Sequence, residues 1–151
     1  MDTIQAITNT IHAYLAADDA LIALMGGEVR GYMTWAPQDE SAPYLVYSPV
    51  VRGPSPGEPS RLYPEKLGDF AVAIWDESGS PASTLLIAGR VIALLSRYGF
   101  DTAGGEATQV MLGTPPISQP VPDEELDWWR HEIVFPLWFW DAAEVLAVTT
   151  R

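Results

Sequence analysis

Four of the six tryptophans in this chain lie between Trp128 and Trp140, in the run Trp-Trp-Arg-His-Glu-Ile-Val-Phe-Pro-Leu-Trp-Phe-Trp. Read at period two, the run predicts a strand with one apolar row, Trp129, His131, Ile133, Phe135, Leu137 and Phe139. The opposite row, Trp128, Arg130, Glu132, Val134, Pro136, Trp138 and Trp140, begins charged and ends aromatic. An antiparallel sheet can leave one face in water, but indoles on that face call for a cover: a loop, a ligand or another subunit. The pattern points to assembly before it points to catalysis.

The 151 residues, 48% hydrophobic, suit one domain with a single substantial core. Twenty acidic against eight basic residues, a formal charge of −12, exclude a phosphate-tracking groove and with it sequence-specific nucleic-acid binding. Negative walls can still matter near DNA, because they let a duplex pass without sticking. The absence of cysteine removes disulfides and thiolate metal sites. Neither a basic-then-apolar leader nor about eighteen uninterrupted apolar residues can be found, so a soluble protein used without export is expected.

Asp2 or Thr3 is expected to cap a helix carrying Ile4, Ile7, Ile11, Tyr14 and Leu15 on its apolar face. Asp18 and Asp19 recap a short segment, Ala20 to Met25, which Gly26 and Gly27 stop. Strands are predicted from Val29 to about Trp35, at Pro43–Tyr47 with Pro49 blunting the far end, at Phe70–Trp75 and at Thr108–Leu112. Between Arg52 and Pro64 four prolines and two glycines predict a projecting loop, about residues 52–64. A helix is predicted from Pro81 to Tyr98, with Leu85, Ala88, Ile92 and Leu95 on its core row, Val91 and Tyr98 beside them, and Gly99 as the left-handed residue at its end. Gly89 is expected to bring that helix close to the sheet. Pro115 to Pro122 should run extended to an acidic turn at Asp123–Asp127, Pro136 marks an edge or a bulge in the tryptophan strand, and a flexible tail is expected over about 142–151.

Catalytic patterns fail on physical grounds. Gly53-Pro54-Ser55-Pro56-Gly57 has the letters of a nucleophile elbow, but the residue that must donate its N–H to an oxyanion is a proline. His12 and His131 are the only histidines, and neither has a second histidine four residues on. The acidic pairs fall at turns and helix starts, where carboxylates cap helices. Glycines at Gly26-Gly27 and Gly104-Gly105 are misplaced for phosphate binding. A sugar-stacking platform would use the tryptophans, but a core plus an interface accounts for the same residues. No catalytic, cofactor or metal residue is therefore predicted.

Taken in order, Asp18-Asp19-Ala20-Leu21-Ile22-Ala23-Leu24-Met25-Gly26-Gly27, then Arg30-Gly31-Tyr32, Ala36-Pro37-Gln38-Asp39 and Pro43-Tyr44-Leu45-Val46 resemble the tail-terminator (tail-completion) proteins of long-tailed bacteriophages. Ile74-Trp75, the helix from Pro81 to Tyr98 and two final strands continue the likeness over about residues 4 to 140. It implies a single α/β domain of the α+β type, a mainly antiparallel sheet packed against two helices. It implies a homo-oligomeric ring, typically a hexamer, on the head-proximal end of the tail tube. Its partners would be the tail-tube protein and a head-completion or connector protein; DNA would pass through the lumen without specific binding, and no membrane is involved. Such a protein is a structural component of the virion tail or neck, assembled in the host cytoplasm, with no enzymatic activity and no cofactor. Trp138, Trp140 and Trp128, with Arg52, Arg61 and Tyr63 of the proline-rich loop, are the expected interface residues. The rival readings are a head-completion or connector-adaptor protein of the neck, a small hydrolase and a carbohydrate-binding module.

Overall fold

Helix α1 (Thr3–Ala16) starts where the Asp2 carboxylate accepts a hydrogen bond from the backbone N–H of Ile4, satisfying one of the donors that a helix start leaves free. Ile7, Ile11 and Leu15 line its buried face. Helix α2 (Asp19–Leu24) begins in the same way, with Asp18 accepting from Leu21 N at 2.9 Å, and Gly26 and Gly27 lead the chain out at φ of 83° and 122°. The computed structural model describes residues 2–37, 40–54, 65–77, 80–125 and 127–141.

Seven strands, β1 (Gly31–Met33), β2 (Tyr44–Pro54), β3 (Glu65–Asp76), β4 (Gly99–Phe100), β5 (Ala107–Leu112), β6 (Val121–Asp123) and β7 (Trp128–Asp141), form one sheet; helix α3 (Ala82–Leu95) connects β3 to β4. The strand order is β1-β2-β3-β7-β5-β4, with β6 also on β7. Only β1 and β2 run parallel, so the domain is α+β with a mainly antiparallel sheet. One edge of β7 pairs with β3 along its length; the other meets β6 at Trp128–Arg130 and β5 at Leu137–Asp141. The helices share one core with the sheet, in which Ile11, Leu21, Ile87 and Val91 meet Tyr47, Phe70, Ile133 and Phe135.

Arg30 fixes the entry to β1. Its guanidinium donates to the carbonyls of Met25, Ser41 and Pro43, joining the end of α2 to the approach to β2. Gly31 follows because a Cβ there would lie 2.5 Å from the Tyr47 hydroxyl and 2.7 Å from His12 Nδ1.

Several boundaries differ from the sequence reading. The strand expected over Val29–Trp35 is confined to Gly31–Met33. Pro49 does not end β2, which runs on to Pro54. Leu45 N and Tyr47 O bond toward the β1 side, so the missing N–H of Pro49 faces the same edge just beyond the end of β1 and no ladder bond is lost. The expected loop at 52–64 accordingly gives up Arg52, Gly53 and Pro54 to the strand, where the register shifts between Val51 and Gly53; residues 55–64 and the expected tail at 142–151 lie outside the described residues.

Helix α3 is rotated from the expected row. Thr84, Ile87, Ala88, Val91 and Leu95 are buried, Ile92 is half-buried and Leu85 is exposed. Gly89 faces outward, with nothing within 4 Å of an added Cβ, so it brings no close approach to the sheet. The helix ends at Leu95; Arg97, at φ 63°, is the left-handed residue, and Gly99 already belongs to β4. No helix among the described residues is long and apolar enough to cross a membrane.

Candidate interaction surface

The sheet face away from the helices carries the second row of β7. Register places Tyr44, Trp75 and Arg130 side by side across β2, β3 and β7, then Val46, Ala73 and Glu132, then Val50, Asp69 and Pro136. At the end where β7 starts, this face is partly closed by the chain itself. Thr34, Trp35 and Ala36 line an open depression of about 280 Å³ with Val46 and Ala73, which are only 9% and 7% exposed although they lie on the face away from the described helices. Arg130 places its guanidinium carbon 5.7 Å from the centre of the Trp75 ring and pairs with Glu132 at 3.2 Å. Trp128 leans edge-on against Tyr44, with ring centres 5.9 Å apart.

The other end has no such cover among the described residues. Trp138 and Trp140 share an open groove of about 410 Å³ with Glu65, Phe100, Asp101 and Met111. Its wall exists because β5 is irregular between Thr108 and Met111: Gln109 sits at φ 51° and gives its N–H to the Asp101 carboxylate at 2.8 Å. Pro136 is tolerated in β7 because its carbonyl accepts from Gly113 N at 2.8 Å, past the last β5–β7 pair, so its missing donor faces a stretch without ladder partners. A Cβ on Gly113 would come within 3.2 Å of Pro136 and 3.4 Å of the Trp138 ring. Glycine lets the chain pass beside the indole.

The sequence-derived interface residues therefore separate. Trp138 and Trp140 come together, Trp128 stands at the opposite end of the same face, and Arg52 lies on β2 in an exposed ion pair with Asp69 at 3.3 Å. Arg61 and Tyr63 lie outside the described residues. Beyond Tyr47, β2 has no partner on its outer edge among the described residues, and Val50 and Val51 there are 54% and 39% exposed. Phe100 and Met111 were missed as groove residues; alternation over Thr108–Leu112 would have put Met111 on the right face, whereas nothing local marks Phe100.

The titratable groups among the described residues form no catalytic arrangement. His131 is buried, its Nε2 lies 2.8 Å from Ser118 Oγ, and its Nδ1 is buried without a partner, so no carboxylate orients the ring. Burial lowers its pKa. His12 Nδ1 lies 2.7 Å from the Tyr47 hydroxyl; burial lowers the His12 pKa and raises that of Tyr47. Ser55, the serine of the elbow-like pattern, lies outside the described residues. Among the described residues, no group of three or more His, Asp or Glu side chains could hold a metal ion.

A two-layer α+β domain with helices on one face of a seven-stranded sheet and an aromatic groove on the other is the class these observations define. The same fold occurs in a chain from the virion of a native gene transfer agent particle, with a TM-score of 0.72 and 19% identity over 91% of this chain and 96% of that one. A second solved structure, whose name states no role, has a TM-score of 0.54 and 14% identity over 90% of this chain and 93% of that one. At these identities the likeness is one of fold. No protein-family model and no curated protein matches the chain.

Proposed function

We propose that this chain is a structural virion protein that caps the head-proximal end of a phage-type tail tube as a ring, ending tube growth and offering the surface for head joining. The observation that carries the reading is the agreement in fold, over nearly the whole of both chains, with a component of a gene transfer agent virion. The order of elements and the Arg30-Gly31-Tyr32 and Pro43-Tyr44 segments, which resemble tail terminators, narrow that role. The groove at Trp138 and Trp140 supplies what an assembly protein needs: large rigid apolar side chains that lose little entropy when covered. Activity here is mechanical, and the chain has no enzymatic role.

Charge suits the same reading. Glu40, Glu77, Asp123, Glu124, Glu125 and Asp127 lie around the ends where β2 and β7 begin and β3 and β6 finish. In a ring, whatever share of the −12 per copy faces the lumen repels passing DNA and keeps it from adhering. Electron microscopy of the protein mixed with tail tubes tests the reading, with portal complexes as the parallel arm. Density at one end of each tube is expected; binding to portal complexes without tubes, or to neither, overturns it.

A further inference from the structure

The outward face of α3 carries no charge. Ala82, Leu85, Leu86, Gly89 and Ala93 are all exposed, Leu85 at 48% and Leu86 at 61%, and helical geometry gathers them into one stripe. The one cation of the helix, Arg90, is turned aside to Asp18. A helix bordering water ordinarily shows polar or charged side chains there, as α1 does with its exposed Asn9. Gly89, at the middle of the stripe, leaves room for an incoming side chain.

A second apolar surface without a cover among the described residues is the groove at Trp138 and Trp140, on the opposite layer of the domain. One copy cannot bring the two together, but two copies arranged head to tail can. Charge complementarity favours this contact between like-charged chains. Glu65 and Asp101 line the groove, while Arg97, exposed just beyond α3, makes no ion pair among the described residues. We propose that the α3 stripe of one copy docks in the Trp138–Trp140 groove of the next, with Arg97 facing Glu65 and Asp101. The contact is heterologous, so its repetition generates a closed ring or an open helix rather than a two-fold dimer. It arises from the chain's own surfaces and stands whether or not a tail tube is the target.

The native chain has no cysteine, so introduced thiols report the contact directly. L86C and M111C proteins, each checked by circular dichroism, are mixed under mild oxidation, with E65C as a second groove position. A disulfide between the L86C chain and a groove variant is expected, and a ladder of higher species from the doubly substituted L86C/M111C chain. R97E in the L86C chain should lower the cross-linked yield several-fold, and E65R in its M111C partner should restore it. Cross-linking of L86C to itself alone, or no cross-link with either groove position, overturns the proposal. Tube capping is not read in this experiment, so its failure is distinct from failure of the virion role.

Discussion

Ser118 Oγ lies 2.8 Å from His131 Nε2, which fastens the extended segment after β5 to the core side of β7. S118A removes that bond while leaving the imidazole in place, and a loss of about 1 kcal/mol in urea unfolding at pH 8 is expected. An unchanged midpoint would show that the segment is held by other contacts.

The same histidine makes stability depend on acidity. Burial lowers the pKa of His131, and of His12, below the ordinary value of 6.5, so both are neutral in the folded chain where the unfolded chain already takes up protons. Stability contributed by the neutral rings is complete above that value and falls as pH drops toward the folded pKa values. Urea unfolding of the native chain between pH 7.5 and 5 should show the decline, and H131F should make it shallower without abolishing it, because His12 retains its share. Equal slopes for both proteins would contradict this.

Asp18 joins two helices. Arg90 donates to it through Nε at 2.8 Å and Nη2 at 2.6 Å, and its Oδ2 also caps α2 at Leu21 N. The Arg90 hydrogen bonds, ahead of the cap, bring the carboxyl pKa down to about 2. A depressed carboxylate stabilises above its unfolded pKa and loses that contribution as pH falls toward 2. D18N should therefore be less stable than the native chain at pH 6 and approach it near pH 2, as monitored by circular dichroism during thermal unfolding. A constant difference across that range would remove the assignment.

Two glycines should respond in opposite directions to the same added methyl group. G31A drives a Cβ into Tyr47 and His12, and overpacking of this kind costs roughly 1–3 kcal/mol. G89A meets nothing and replaces a poor helix former within α3, a gain of about 0.5–1 kcal/mol. Equilibrium unfolding of both variants at low protein concentration checks the pair, and the same sign for both would refute the geometry.

The strand face of β7 was legible from its period of two: His131, Ile133, Phe135, Leu137 and Phe139 are buried and Trp138 and Trp140 lie opposite, although Trp129, expected at the head of the buried row, is only half-buried at the start of the strand. Caps were legible as well, since Asp2 and Asp18 act through neighbours in the chain. Helix α3 was read at the wrong rotation because nearly every position is apolar, so periodicity could not separate its buried stripe from its outward one. Leu85 and Ile92 were assigned to the core for that reason, and Ile87 was missed. The continuation of β2 past Pro49 depends on which edge β1 leaves free, which is a tertiary fact. Phe100 enters the groove only through the pairing of β4 with β5.

The unbroken pairing of β3 with β7, from Glu65 opposite Trp140 to Asp76 opposite Trp129, has a mechanical corollary. Tension applied along the strands loads every rung of that ladder simultaneously, in shear. Slipping by one residue would turn the buried row of β7 out to solvent and the opposite row in, so no intermediate register offers a resting place. A molecule wired this way holds its length under strain until it gives way all at once.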